Sequence, residues 1–198
     1  MYDCVFVRIN KTGSTSVQTL LGQDFPHQPV SAWIAEIGFE RWLNVPTFSI
    51  VRNPFDKVVS HYFWRIKTNQ TGMGRDPISF RDWVRRSYGD NDPAYYDKPL
   101  MFAPQTEWLT APEFYGDDRL GVDYVGRFEA FDEAVDHILD LAGKEKVSSL
   151  PWLKKTDRAP FSIYYDQELV EIVTAWFAND FDKLGYPRTL PSGADQGR

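Results

Sequence analysis

Two short apolar runs, each ending in a polar turn that opens a helix, constrain this chain more than any other feature of its sequence. Cys4-Val5-Phe6-Val7-Arg8-Ile9 is mostly β-branched or aromatic and reads as a buried strand. It stops at Asn10 and passes through Lys11, Thr12, Gly13, Ser14, Thr15 and Ser16, after which Val17, Leu20 and Leu21 recur at helical spacing. Thr47-Phe48-Ser49-Ile50-Val51 is a second buried-strand candidate, and it ends at Arg52-Asn53-Pro54. Asn53 can cap a helix there and Pro54 suits its first turn. Phe55, Val58, Val59, Tyr62 and Ile66 then mark one apolar helical face. Asp123 to Phe128 reads as a third strand and its exit, followed by a helix carrying Phe131, Val135, Ile138 and Leu139. A last helix carries Leu169, Val173, Trp176 and Phe177, with Asp166 as its N-cap. Strands alternating with helices predict an α/β fold, a central parallel β-sheet flanked by helices on both faces. With 198 residues, one domain over 1–187 and a flexible tail over 188–198 are expected.

Composition excludes several classes. The formal net charge of −6 offers no global attraction to nucleic acid or an anionic membrane, so a polyanionic ligand would need a local basic patch. Cys4 is the only cysteine, which rules out an intrachain disulfide and disfavours a cysteine metal site. No transmembrane run and no signal peptide stand out, so a cytoplasmic protein is expected.

Both turns suit anions. A turn leaving a buried strand and entering a helix exposes unpaired backbone N–H groups, and the helix dipole adds positive potential. Gly13 allows close backbone approach, Lys11 adds a charge, and Ser14, Thr15 and Ser16 add hydroxyls, a set suited to phosphate or sulfate. The alternative is an ordinary Ser-capped helix with an exposed lysine. The G-x-x-x-x-G-K-[ST] pattern of nucleoside-triphosphate loops is absent. At the second turn Arg52 precedes the helix, and Ser60 lies eight residues on, off the apolar stripe and roughly 10 Å along the axis. The pair could hold one dianionic phosphate. Both turns fall at the carboxyl ends of strands, where α/β sheets collect ligands, so one ligand with two anionic groups is a natural inference.

Lys11-Thr12-Gly13-Ser14-Thr15-Ser16 resembles the 5′-phosphosulfate loop of sulfotransferases that use 3′-phosphoadenosine 5′-phosphosulfate (PAPS). Arg52 to Tyr62 is similar to their 3′-phosphate motif, including the Arg-to-Ser interval. Gly126-Arg127-Phe128-Glu129 and the Tyr164-Tyr165-Asp166 to Gly185-Tyr186 ending are similar to the carbohydrate-type branch. The resemblance covers roughly residues 4 to 187. It departs at Asn10, where that family commonly has Pro, a change in loop stiffness more than in chemistry. It implies a single P-loop-like domain and an O-sulfotransferase that releases adenosine 3′,5′-bisphosphate (PAP) and needs no metal. The acceptor would be a hydroxyl of a carbohydrate or other small hydroxylated metabolite. Lys11 would stabilise the leaving group, Thr12 to Ser16 would hold the 5′ end, and Arg52 with Ser60 would bind the 3′-phosphate.

Sulfuryl transfer to a hydroxyl calls for a general base. His27, between Pro26 and Pro29, matches the position where similar enzymes place a His before an Ile-Gly-x-Glu stretch, and is the expected base. His61 reads as packed and His137 as solvated, while Glu36 and Glu107 are carboxylate alternatives. Arg75, Arg81, Arg85 and Arg86 form one basic cluster that could serve an anionic acceptor. Lys154, Lys155 and Arg158 form another that could serve the 3′-phosphate or a lid. Residues 67–77 and 89–118 are the expected acceptor loops, with Gln105 and Trp108 as cleft candidates. Two other readings remain: an ATP- and Mg²⁺-dependent small-molecule kinase, or a nucleotide-binding module without catalysis.

Overall fold

The computed structural model describes residues 2–146 and 158–191. In chain order the elements are β1 (Val5–Val7), α1 (Ser14–Leu21), α2 (Val30–Ile37), α3 (Phe39–Trp42), β2 (Thr47–Val51), α4 (Pro54–Lys67) and α5 (Phe80–Val84). There follow α6 (Pro99–Phe102), α7 (Gln105–Leu109), α8 (Pro112–Tyr115), β3 (Tyr124–Arg127), α9 (Phe131–Leu141), α10 (Gln167–Trp176) and α11 (Ala178–Lys183). The chain forms two compact units, Met1–Arg52 with Gln105–Lys155, and Asn53–Pro104 with Thr156–Arg198.

The first unit holds the sheet, ordered β1-β2-β3 and parallel throughout. This is the α/β, P-loop-like architecture that the strand–turn–helix pattern implies. Every residue of β1 and β2 is buried, as expected of strands covered on both sides. Phe6 packs on Phe48 and Phe25, with ring centroids 6.0 and 6.1 Å apart, and Phe25 packs on Trp33 of α2. Each such buried side chain contributes about 1.5–3 kcal/mol. The start of β2 is locked by Asp123, whose Oδ2 accepts from both the backbone N–H and the hydroxyl of Thr47 at 2.8 Å. Gly126 in β3 admits α9 at close range, since a Cβ there would lie 2.6 Å from the Ala134 methyl.

The second unit is helical and rich in rings. Asn53 caps α4 by accepting from the Phe55 N–H at 2.9 Å, with Pro54 in the first turn. Asp166 caps α10 by accepting from the Leu169 N–H at 3.0 Å. Trp83 is fully buried among His61, Tyr62, Tyr88 and Phe102. Two differences from the sequence reading stand out. The stretch expected to be loop over 89–118 contains α6, α7 and α8, each four or five residues long, and α10 is followed by a further helix, α11. Such short helices do not repeat an apolar position often enough to show a period; the prolines opening α6 and α8 were their local signal.

Candidate functional site

The loop between β1 and α1 has an unusual backbone. Lys11 takes φ +66° and Gly13 φ +77°, both left-handed, with Gly13 standing as the N-cap of α1. Residues of alternating hand turn successive N–H groups toward a common side, the arrangement that makes anion-binding concavities. Gly13 is required twice over: for its φ, and because a Cβ there would lie 2.6 Å from the Phe131 ring and 3.2 Å from the Phe128 ring. Lys11 pays no such relief, and a side chain at this φ costs on the order of 1 kcal/mol. The Gly13 N-cap has no side-chain cap bond, so α1 is not the ordinary Ser-capped helix weighed from sequence. Ser14 and Ser16 are buried, and Thr15 and Lys11 are partly exposed. Thr12 is fully buried and its hydroxyl donates to the Ile9 carbonyl at 3.0 Å, so its side chain braces the loop.

Arg52 directly follows β2 and is held at several points within the first unit. Its backbone N–H donates to Gln105 Oε1 at 2.8 Å, and Gln105 Nε2 donates back to the Arg52 carbonyl at 2.8 Å. Its guanidinium donates to the Lys11 carbonyl at 3.0 Å and lies 3.9 Å from the centroid of the Phe128 ring. The structure thus brings Arg52 and the Lys11 loop together. Ser60 lies within α4 in the second unit and is buried.

His27 Nδ1 lies 2.7 Å from the carbonyl oxygen of Arg8. A carbonyl only accepts, so Nδ1 carries the hydrogen and the lone pair of the neutral ring sits on Nε2. The ring stands edge-on to Trp108 at 6.3 Å between centroids. Arg8 itself donates to the Phe25 carbonyl at 3.1 Å, and burial pushes its pKa below the usual arginine value, against the pull of Asp24.

The other candidates are placed as follows. His61 is buried against Phe102 and Trp83, with ring centroids 4.7 and 5.5 Å away, and His137 is exposed beside Tyr124. Glu36 and Glu107 are exposed, and Glu36 accepts from Gln28 at 2.8 Å. Gln105 and Trp108 are fully buried and so do not line an open cleft, contrary to expectation. Three arginines of the earlier basic cluster pair with carboxylates within the second unit. Arg81 meets Asp166 and Glu168; Arg85 meets Glu168 at 3.0 Å; Arg86 meets Asp92 at 3.1 Å. Arg158 pairs with Asp56 in the first turn of α4, while Lys154 and Lys155 lie outside the described residues. Among the described residues no group of His, Cys, Asp and Glu could hold a metal ion, and no helix is long and apolar enough to cross a membrane.

Three contributors were not singled out from sequence in these roles: the Arg8 carbonyl, the Gln105 amide and the Phe128 ring. Phe128 had a signal in the Gly126-Arg127-Phe128-Glu129 run, whereas a main-chain carbonyl has none.

A three-stranded parallel sheet flanked by helices, with left-handed Lys11 and Gly13 in its first strand-to-helix turn, defines an α/β, P-loop-like fold, and relatives specify it further. The sequence pattern of the sulfotransferase family matches residues 1–187, and the chain belongs to that family. The crystal structure of a sulfotransferase from Alicyclobacillus acidocaldarius superposes with a TM-score of 0.52 at 16% identity, over 96% of this chain and 98% of that one. At that identity the likeness is one of fold. No curated protein matches the chain. The protein is therefore a transferase of sulfuryl groups.

Proposed function

We propose that the protein transfers a sulfuryl group from PAPS to a hydroxyl of a carbohydrate or other small hydroxylated metabolite. The observation that carries this reading is the Lys11 to Ser16 loop, with left-handed Lys11 and Gly13 at the start of α1 and the Arg52 guanidinium on the Lys11 carbonyl. The loop's N–H groups and the hydroxyls of Ser14, Thr15 and Ser16 hold the 5′ end of the donor. Lys11 neutralises charge that grows on the bridging oxygen as the sulfur–oxygen bond breaks. Arg52 and, by its interval in sequence, Ser60 bind the 3′-phosphate. His27 Nε2 takes the acceptor's proton as the new oxygen–sulfur bond forms in line, and the Arg8 carbonyl keeps the ring in the required tautomer. Positioning and electrostatics supply the rest, as in phosphoryl transfer.

The test is calorimetric titration with PAP, ATP and AMP in the absence of Mg²⁺. The proposal expects PAP to bind at least tenfold more tightly than either control. Tighter binding of ATP would instead support a kinase. His27→Asn, which retains a donor for the Arg8 carbonyl but no base, should lower turnover about 10²-fold or more while PAP affinity stays unchanged. Unchanged turnover would remove His27 from the mechanism.

A further inference from the structure

Gln105 is fully buried, fifty-three positions from Arg52 in sequence, and it spends both ends of its amide on that one residue's backbone. The two 2.8 Å bonds reproduce what a neighbouring strand would supply: an acceptor for the N–H and a donor for the carbonyl. Only one orientation of the amide satisfies both, so the pairing is specific to Gln. A hydrophobic side chain would remove both of these bonds, and Asn is one methylene shorter.

The brace acts where the chain stops being a strand. β2 ends at Val51, and Arg52 lies beyond the last residue of the β2–β3 pairing, Val51 opposite Arg127. Gln105 thus holds the Arg52 backbone just past the last paired residue of β2. The guanidinium is fixed separately, by the Lys11 carbonyl at 3.0 Å and by the face of Phe128 at 3.9 Å. Phe128 also lies within 3.2 Å of where a Gly13 Cβ would be. One ring therefore touches both the arginine and the anion loop. A carbonyl and a π-face orient a guanidinium while leaving its positive charge in place.

We infer that Gln105 is a positioning residue that sets selectivity for the 3′-phosphate of the donor nucleotide, by holding the backbone of Arg52 while Phe128 and the Lys11 carbonyl aim its guanidinium. The inference rests on the reading of Arg52 as the 3′-phosphate ligand. Gln105 touches no nucleotide in this scheme. Its effect is on the ratio of affinities for nucleotides with and without the 3′-phosphate.

The experiment measures affinity for PAP and for AMP by calorimetry in the wild type, Gln105→Met and Phe128→Leu, with thermal unfolding recorded for each. Met keeps the length and volume of Gln while deleting both hydrogen bonds. The expected result is a loss of at least tenfold in PAP affinity with less than a twofold change for AMP, in both variants. A merely structural role would lower the unfolding temperature and leave the PAP-to-AMP ratio at its wild-type value, and that outcome overturns the inference alone. A wild type that binds PAP and AMP equally overturns the underlying reading of Arg52 and the inference with it. Should Gln105→Met not fold, Gln105→Glu serves the same comparison, because it can still accept from the Arg52 N–H but has lost the donor to its carbonyl. It is expected to lower the ratio as well; an unaltered ratio would sink the proposal.

Discussion

The two units handle their cations differently. In the second, arginines meet carboxylates at short range: Arg65 with Asp97 at 2.8 Å, Arg85 with Glu168 at 3.0 Å, Arg86 with Asp92 at 3.1 Å, and Arg81 and Arg158 with carboxylates of their own. In the first, three ion pairs among the described residues are longer, 3.9 Å for Arg8 with Asp24, 3.7 Å for Arg119 with Asp117 and 3.8 Å for Lys146 with Asp136. The Arg52 guanidinium there rests on a carbonyl and a ring. Carboxylates cancel a cation; carbonyls and rings aim it. The second unit uses its positive charge to hold its own helices and loops together. In the first, a carbonyl and a ring orient the Arg52 guanidinium beside the α1 N-terminus, an arrangement that a net charge of −6 over the whole chain does not reveal.

The comparison can be broken at several points. The largest effect belongs to Lys11→Ala, which should slow PAP release from PAPS in the presence of acceptor by about 10²–10³-fold, the range seen when one preorganised electrostatic donor is lost. A loss below tenfold would mean that the cation of this loop is not acting on the leaving group. Next, Arg52→Ala should weaken PAP binding about 10- to 100-fold, with a smaller effect at high salt, because a charge-assisted contact is removed. Equal weakening of AMP would show a general disturbance of the loop rather than loss of a 3′-phosphate ligand.

A third effect concerns Lys57, buried in α4, whose pKa is lowered from 10.5 to about 8 by burial, partly opposed by the nearby carboxylate of Asp180. The folded state releases this proton at lower pH than the unfolded chain does. Its destabilising contribution is therefore fully present below about pH 8 and fades as pH rises toward 10.5. Urea unfolding between pH 7 and 10 should show a rise in stability of up to a few kcal/mol from this group, absent in Lys57→Met. An identical pH profile in the variant would show that Lys57 is not buried as a cation. The smallest effect is expected for Arg85→Ala, an exposed pair, at under about 1 kcal/mol in unfolding and with no change in PAP affinity. A drop in PAP affinity there would erase the distinction between the units.

The sequence made parts of this plain and left others hidden for physical reasons. β2 ends where its β-branched run ends, and Asn53-Pro54 and Asp166 announce their helices, because strand burial and helix capping act within a few residues. The strand-to-helix turn of the proposed anion site was legible for the same reason: Lys11, Gly13 and the hydroxyl residues are contiguous. The Gln105 brace was not, since a side-chain amide serving a backbone far away in sequence leaves no local period or motif. The pairing of Arg81 with Asp166 and Glu168 was hidden likewise, since its partners lie more than eighty residues away in sequence.

Lys11 has one more consequence. A residue with a β-carbon sits there at φ +66°, where glycine would rest without penalty. Lys11→Gly should therefore make the folded protein easier to hold together at that point while removing the cation on which the proposed chemistry depends. A library of this chain screened only for heat resistance would drift toward glycine or asparagine at position 11 and yield sturdy, silent proteins. Selection for thermal tolerance must be coupled to a turnover assay if the lysine is to persist.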